Sequence, residues 1–205
     1  MTRPAALAVA AALLFAVTAA LVAAGFLHGI DRYAVGHLMP WLEPRRTGTV
    51  TLRSLTIPSV GGSVGRTLVG LWTYPAAVAP SLVLVLAVAT ARRLWLGVWF
   101  VGNAVEVLGK LAVTRPALHA AGVHVTAFDH SLPSGHTIRA FVVAGAAAAA
   151  ARVGRYAFVW AAGVPFALVA LGDHTPTDVA AGLFVAVALL GGARVRRAGA
   201  RRGLR

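Results

Sequence analysis

Six stretches of this chain, over roughly residues 5–27, 67–90, 94–113, 135–151, 156–172 and 176–192, are almost wholly apolar. A bilayer span needs about 20 such residues, and it must be helical because hydrocarbon offers no partner to backbone N–H and C=O groups. A chain of 205 residues that is 59% hydrophobic and 12% charged cannot enclose that much apolar surface in a water-soluble core. The runs therefore predict an all-α polytopic membrane protein, a six-transmembrane-helix bundle in which residues 1–205 form a single membrane-embedded domain. The first run follows a single basic residue, Arg3, and is too long for a signal-peptide core, so it reads as a retained span. The fourth is short, and its small residues from Ala146 to Ala151 let helices approach closely.

Charge sets the orientation. Six spans put both termini on one side, together with Arg3, Arg92, Arg93, Arg152, Arg155 and the tail from Arg194 to Arg205, and no acid lies among them. Asp31, Glu43, Asp129, Asp173 and Asp178 fall on the other side. The basic face is expected to be cytoplasmic, in a plasma (inner) membrane. The net charge of +13 is thus spent on topology, and no basic module is available to present it to nucleic acid. Between the first two spans, residues 28–66 carry Tyr33, Trp41, Pro40, Pro44 and Pro58, which suits an amphipathic or re-entrant interfacial segment on the outer leaflet. A plain solvated loop is the competing expectation there.

Two short motifs then face outward together. Pro133-Ser134-Gly135-His136-Thr137 precedes the fourth span, and Gly172-Asp173-His174-Thr175-Pro176-Thr177-Asp178 joins the fifth to the sixth. Ser134 is a good helix cap, and a helix N-terminus with its unpaired N–H groups favours an anion. Gly135 lets that anion approach the backbone, and His136 lies in the first turn. Asp178, four residues after His174, is placed to accept a ring N–H, which fixes the tautomer and leaves the other nitrogen free as a nucleophile. There is no cysteine, and the spacing of His119, His124 and His130 fits no closed metal site, so neither metal nor cofactor is expected.

These motifs resemble those of the type 2 phosphatidic acid phosphatase superfamily, the integral-membrane lipid phosphate phosphatases. Pro133 to His136 match its Pro-Ser-Gly-His motif, and Gly172, His174 and Asp178 match its Gly-x-His-x-x-x-Asp. The resemblance implies metal-independent hydrolysis in two steps. His174 forms a phosphohistidine, Asp178 orients it, and His136 protonates the leaving oxygen and then helps activate water. It also implies that Ser134 and the N–H groups near Gly135 hold the phosphoryl oxygens. The expected substrate is a membrane lipid phosphate or diphosphate, such as a polyprenyl (undecaprenyl) diphosphate, phosphatidate or phosphatidylglycerol phosphate. Presentation on the outer leaflet favours carrier-lipid recycling.

Two departures complicate the match. The family's first motif is Lys, six residues, then Arg-Pro, whereas this chain has Lys110, four residues, then Arg115-Pro116. Lys110 stands where a phosphate clamp belongs, and Arg115 is the candidate second clamp. The family's Ser-Arg before the nucleophile is replaced by Ala167 and Leu168. Arg139, three residues after His136 and at membrane depth, is a candidate substitute for that charge, since an intramembrane arginine is costly unless it is paired or used. The competing expectation is that Arg139 pairs with Glu106, which also stands i, i+4 from Lys110. Two other readings are a catalytically silent protein that binds or translocates a lipid phosphate on the same scaffold, and a small transporter using Arg139 and Glu106.

Overall fold

The computed structural model describes residues 2–38, 42–44, 50–52, 62–89, 92–120, 123–125 and 128–202. The apolar runs fold as helices: α1 (Arg3–Ala23), α3 (Gly62–Thr73), α4 (Val78–Val88), α5 (Arg92–Ala112), α6 (Gly135–Ala150), α7 (Ala157–Leu171) and α8 (Pro176–Arg202). A short α2 (His28–Tyr33) follows the first of them and continues as a π-helical turn over Ala34–Leu38. Extended backbone is confined to two small antiparallel ribbons among the described residues, β1 (Leu42–Pro44) with β2 (Val50–Leu52) and β3 (His119–Ala120) with β4 (Val123–His124).

Four helices, Arg3–Ala23, Arg93–Ala112, Gly154–Leu171 and Pro176–Ala200, are long and apolar enough to cross a bilayer. The pair Leu68–Ala76 and Val78–Val88, bent by 60° at its break, makes a fifth if counted as one span. The break falls at the extended Ala77, just after the 3-10 turn Tyr74–Ala76 that contains Pro75. The fourth predicted run is helical as α6, but its 16 residues rise only about 24 Å, less than a full crossing. Large apolar side chains point away from the protein, with Phe166 78%, Leu111 75% and Val159 70% exposed. In water that surface would be untenable; the chain is a multi-pass membrane protein with lipid as solvent.

Close contacts fix the directions of the helices. Gly191 of α8 lies against Pro4 and Ala8, so α1 and α8 run antiparallel. Gly145 of α6 faces both Trp95 and Leu190, whereas Gly109, near the end of α5, faces Pro133. α5 is therefore antiparallel to α6, and α6 is parallel to α8. One end of the bundle thus gathers the N-termini of α6 and α8 with the C-termini of α1, α5 and α7. Arg3, Arg93, Arg155 and Arg194 belong to the other end. Trp99 Nε1 donates to Ser81 Oγ at 3.0 Å and Trp160 Nε1 to the Trp72 carbonyl at 2.9 Å, which ties α5 to α4 and α7 to α3. The core fills with Val85, Trp95, Trp99, Ile138 and Val142.

In the segment after α1, Ala34 and Val35 are buried, while the exposed Tyr33 ring stacks on His37 at 4.3 Å. Pro40, Trp41 and Pro58, singled out in the sequence, lie outside the described residues.

Candidate active site

Both motifs are built around helix starts. Ser134 is the N-cap of α6, its Oγ accepting from the Thr137 N–H at 3.4 Å and the Thr137 hydroxyl at 3.1 Å. α7 ends at Gly172, whose φ of 77° is the left-handed conformation that closes a helix and suits a residue without Cβ. The chain then turns through Asp173 and His174, whose N–H groups both point back to the Leu168 carbonyl, and Pro176 opens α8. Gly172→Ala is expected to cost about 1–2 kcal/mol through that φ alone. Thermal unfolding in detergent checks this, and an unchanged midpoint would show that the turn relaxes freely.

The two helix starts are joined directly. The Ser134 N–H donates to the Asp178 carbonyl at 3.0 Å, and Gly182 comes so near Ser134 that an added Cβ would stand 2.7 Å from its carbonyl oxygen. His136 is consequently close enough to His174, Arg139, Glu106 and Lys110 for their charges to act on it. The expected site residues His136, His174, Ser134, Gly135 and Lys110 therefore gather at the same end of the bundle.

His174 is nearly buried, with Nδ1 3.4 Å from Asp178 Oδ2. The same carboxylate oxygen accepts the Thr175 N–H at 3.0 Å. Asp178 is fully buried, and its other oxygen is ion-paired with Arg115 Nη2. With Nδ1 facing Asp178, Nε2 is the ring nitrogen left for a reacting group.

Arg115 lies behind this pair. Its guanidinium bridges two carboxylates, Asp178 and Asp31, with Nη1 2.7 Å from Asp31 Oδ2 and 3.1 Å from Thr175 Oγ1. Asp31 in turn accepts the Thr177 N–H at 3.2 Å and its hydroxyl at 2.6 Å. Burial raises the Asp31 carboxyl above the ordinary carboxylate range, against the opposing pull of the Thr177 hydroxyl and Arg115. Sequence reasoning treated Asp31 only as an outer-face acid and gave Thr175 and Thr177 no role. No local pattern marks these links, because Asp31 stands 84 residues from Arg115 and 146 from Thr177, and Thr175 60 from Arg115.

Arg139 is buried in α6. Its Nε donates to the Ala76 carbonyl at 2.7 Å, and Nη1 meets Asn103 Oδ1 at 3.0 Å and Glu106 Oε2 at 2.5 Å. The other oxygen of Glu106 accepts from Lys110 Nζ at 2.7 Å. Leu168, standing where the resemblance calls for arginine, is buried among Ala76, Ala140, Ala144 and Val164. Ala76, whose carbonyl accepts from Arg139, belongs to the same buried cluster as Leu168.

The loop histidines make contacts of their own. His119 and His124 have ring centres 5.7 Å apart, His124 pairs with Asp129 at 3.1 Å, and His130 Nδ1 is 3.1 Å from the Lys110 carbonyl. Among the described residues, no group of three or more His, Cys, Asp or Glu stands close enough to hold a metal ion.

Chemically, the arrangement offers an oriented imidazole, a second imidazole, a helix start and two cations at one end of an apolar bundle. No curated protein and no solved structure matches the chain. The family model of the PAP2 superfamily matches it over residues 5–200, nearly its whole length. With both motifs set at one site and the family's pattern running through the whole bundle, this chain belongs to the PAP2 superfamily.

Proposed function

We propose that this protein is a lipid phosphate phosphatase of the outer face of the plasma membrane, six-spanning with α6 as its short fourth span, and acting through a phosphohistidine. The observation that carries the reading is the His174–Asp178 pair at the joined starts of α6 and α8, with His136 in the first turn of α6. His174 Nε2 attacks phosphorus while the bond from phosphorus to the lipid oxygen breaks, and His136 gives that oxygen its proton. Water then attacks phosphorus, the P–N bond breaks, and His136 takes the proton from water. Asp178 holds the Nδ1–H and favours the imidazolium character that develops. Ser134, the N–H groups around Gly135, Lys110 and Arg139 receive the phosphoryl oxygens, and the work is mainly positioning and charge stabilisation. Arg115, engaged by two carboxylates, acts in this reading as the positioning residue of Asp178.

A lipid substrate is supported by an apolar groove between α6, α7 and α8, with a volume of about 600 Å³, lined by Phe141, Phe166, Val169, Val179, Ala180 and Leu183. Pro176 and Val179 of its lining belong to the first turn of α8, which also carries Asp178. Polyprenyl diphosphate, phosphatidate and phosphatidylglycerol phosphate all suit it, and carrier-lipid recycling fits the outward orientation. Filling the groove with Ala180→Phe is expected to raise KM for a long-chain lipid phosphate by about tenfold. kcat on a short soluble phosphate ester should be unchanged. Equal effects on both substrates would remove the groove from substrate binding.

The testing experiment is phosphate release from a polyprenyl diphosphate and from phosphatidate by detergent-purified protein in EDTA, with acid-labile label on histidine trapped from labelled substrate. Release with trapped label supports the reading, and inhibition by chelator would sink its metal-free form. A silent binder on the same scaffold is favoured by one observation, the apolar surroundings of Leu168. It predicts lipid binding without release.

A further inference from the structure

Glu106 is not part of either motif, yet its carboxylate lies at the start of α6. A Cβ added to Gly135 would run directly into both of its oxygens. Those oxygens are held by the cations assigned above to phosphate, one by Lys110 at 2.7 Å and the other by Arg139 at 2.5 Å. The Glu106 side chain is only 12% exposed and Arg139 4%, whereas Lys110 is 36% exposed and faces the open side. An anion already sits against the glycine, between the two cations, at a helix N-terminus. Each of these features favours negative charge, and together they describe a phosphate seat with a carboxylate in it.

We propose that Glu106 is a resident competing anion that sets phosphate affinity and speeds product release. It rests on the reading of this site as a phosphate seat. In the unloaded protein the carboxylate pairs with both the partly exposed Lys110 and the buried Arg139, whose charge would be costly if left without a counter-ion. A substrate phosphate, with greater charge and three acceptor oxygens, takes Lys110 and part of Arg139 from Glu106. After hydrolysis the carboxylate returns to both cations and expels the product. The cost is weaker binding of every phosphate, since each must first displace an anion that is tethered in place.

The test is equilibrium binding of labelled inorganic phosphate to the detergent-purified protein, beside its Glu106→Gln and Glu106→Asp variants. Inhibition of lipid hydrolysis by phosphate is measured in parallel. Glu106→Gln keeps hydrogen-bonding capacity but removes the charge, and is expected to bind phosphate at least about tenfold more tightly and to turn over more slowly. Glu106→Asp draws the carboxylate back from Gly135 and should tighten binding by a smaller factor. A merely structural role predicts the opposite sign, because damage to the site weakens binding. Unchanged or weaker phosphate binding in Glu106→Gln overturns the proposal, as does failure of both variants to fold, which would make Glu106 only the counter-ion of Arg139. If the wild type releases no phosphate from any lipid while Glu106→Gln still binds phosphate more tightly, the phosphatase reading fails and this one stands. Normal hydrolysis with unaltered phosphate binding does the reverse, keeping the phosphatase and removing the competing anion.

Discussion

His174→Ala is expected to lower phosphate release by a factor on the order of 10⁴ or more, the largest effect of any substitution in this chain. The imidazole is the only group at the site with a free ring nitrogen whose partner nitrogen is held by a buried carboxylate, at 3.4 Å. Removing it leaves the α6 start, Lys110 and His136 in place. Lipid binding should therefore persist, with KM for residual turnover within a few-fold of the wild type. Asp178→Asn should cost less, since the imidazole remains, but it supplies a donor where Nδ1–H needs an acceptor. Single-turnover assays on labelled lipid separate the cases. Full activity in His174→Ala would move the chemistry elsewhere; loss of lipid binding along with activity would point to collapse of the turn between α7 and α8.

The second large effect is on stability. Arg115→Met is expected to destabilise the protein by about 3–5 kcal/mol, because it strands the fully buried Asp178 carboxylate without its counter-charge. Asp31 contributes less to that loss, since burial already raises its carboxyl toward the protonated form. Asp31→Asn should thus be much milder than Arg115→Met. Arg115→Lys restores one charge but not the fork that reaches Asp31, Asp178 and Thr175 together, and should recover only part of the stability. Thermal unfolding in detergent, followed by the tryptophans, gives the ranking. An Arg115→Met midpoint within a degree or two of the wild type would show that the bridge is unimportant. Activity should fall alongside stability, because Arg115 fixes the carboxylate that orients His174.

Much of the fold was legible because membrane solvation leaves a coarse signal. Where lipid replaces water, about 20 apolar residues must become helix, so the runs predicted α1, α5 and α7 to within a few residues, and the start of α8, which runs on past residue 192 to Arg202. The signal fails where packing rather than length decides. The second run is broken into α3 and α4 by the turn Tyr74–Ala76 and the extended Ala77, whereas the fourth, already short in the sequence, folds as the 16 residues of α6. Small residues let α6 pack tightly, and the same tightness spares it from needing a full lipid-facing length.

The site divides in the same way. The Ser134 cap and the His174–Asp178 contact were readable because they join neighbours within four residues, a helix cap and an i, i+4 pair, and chain connectivity favours such contacts. The pairing of Glu106 with Lys110 at i, i+4 and with its alternative partner Arg139 was also expected, and both contacts form. Asp31 was beyond that reach, since it acts on Thr177 across 146 residues. Sequence by itself determined that the chain is helical, membrane-embedded and armed with two histidines, because periodicity, length and local hydrogen bonding are properties of short segments. Only the tertiary structure decided which charge meets which: Arg115 lies behind Asp178, and Glu106 lies on Gly135. A buried charge is governed by whatever opposite charge folding brings within about 3 Å, and no spacing along the chain encodes that distance.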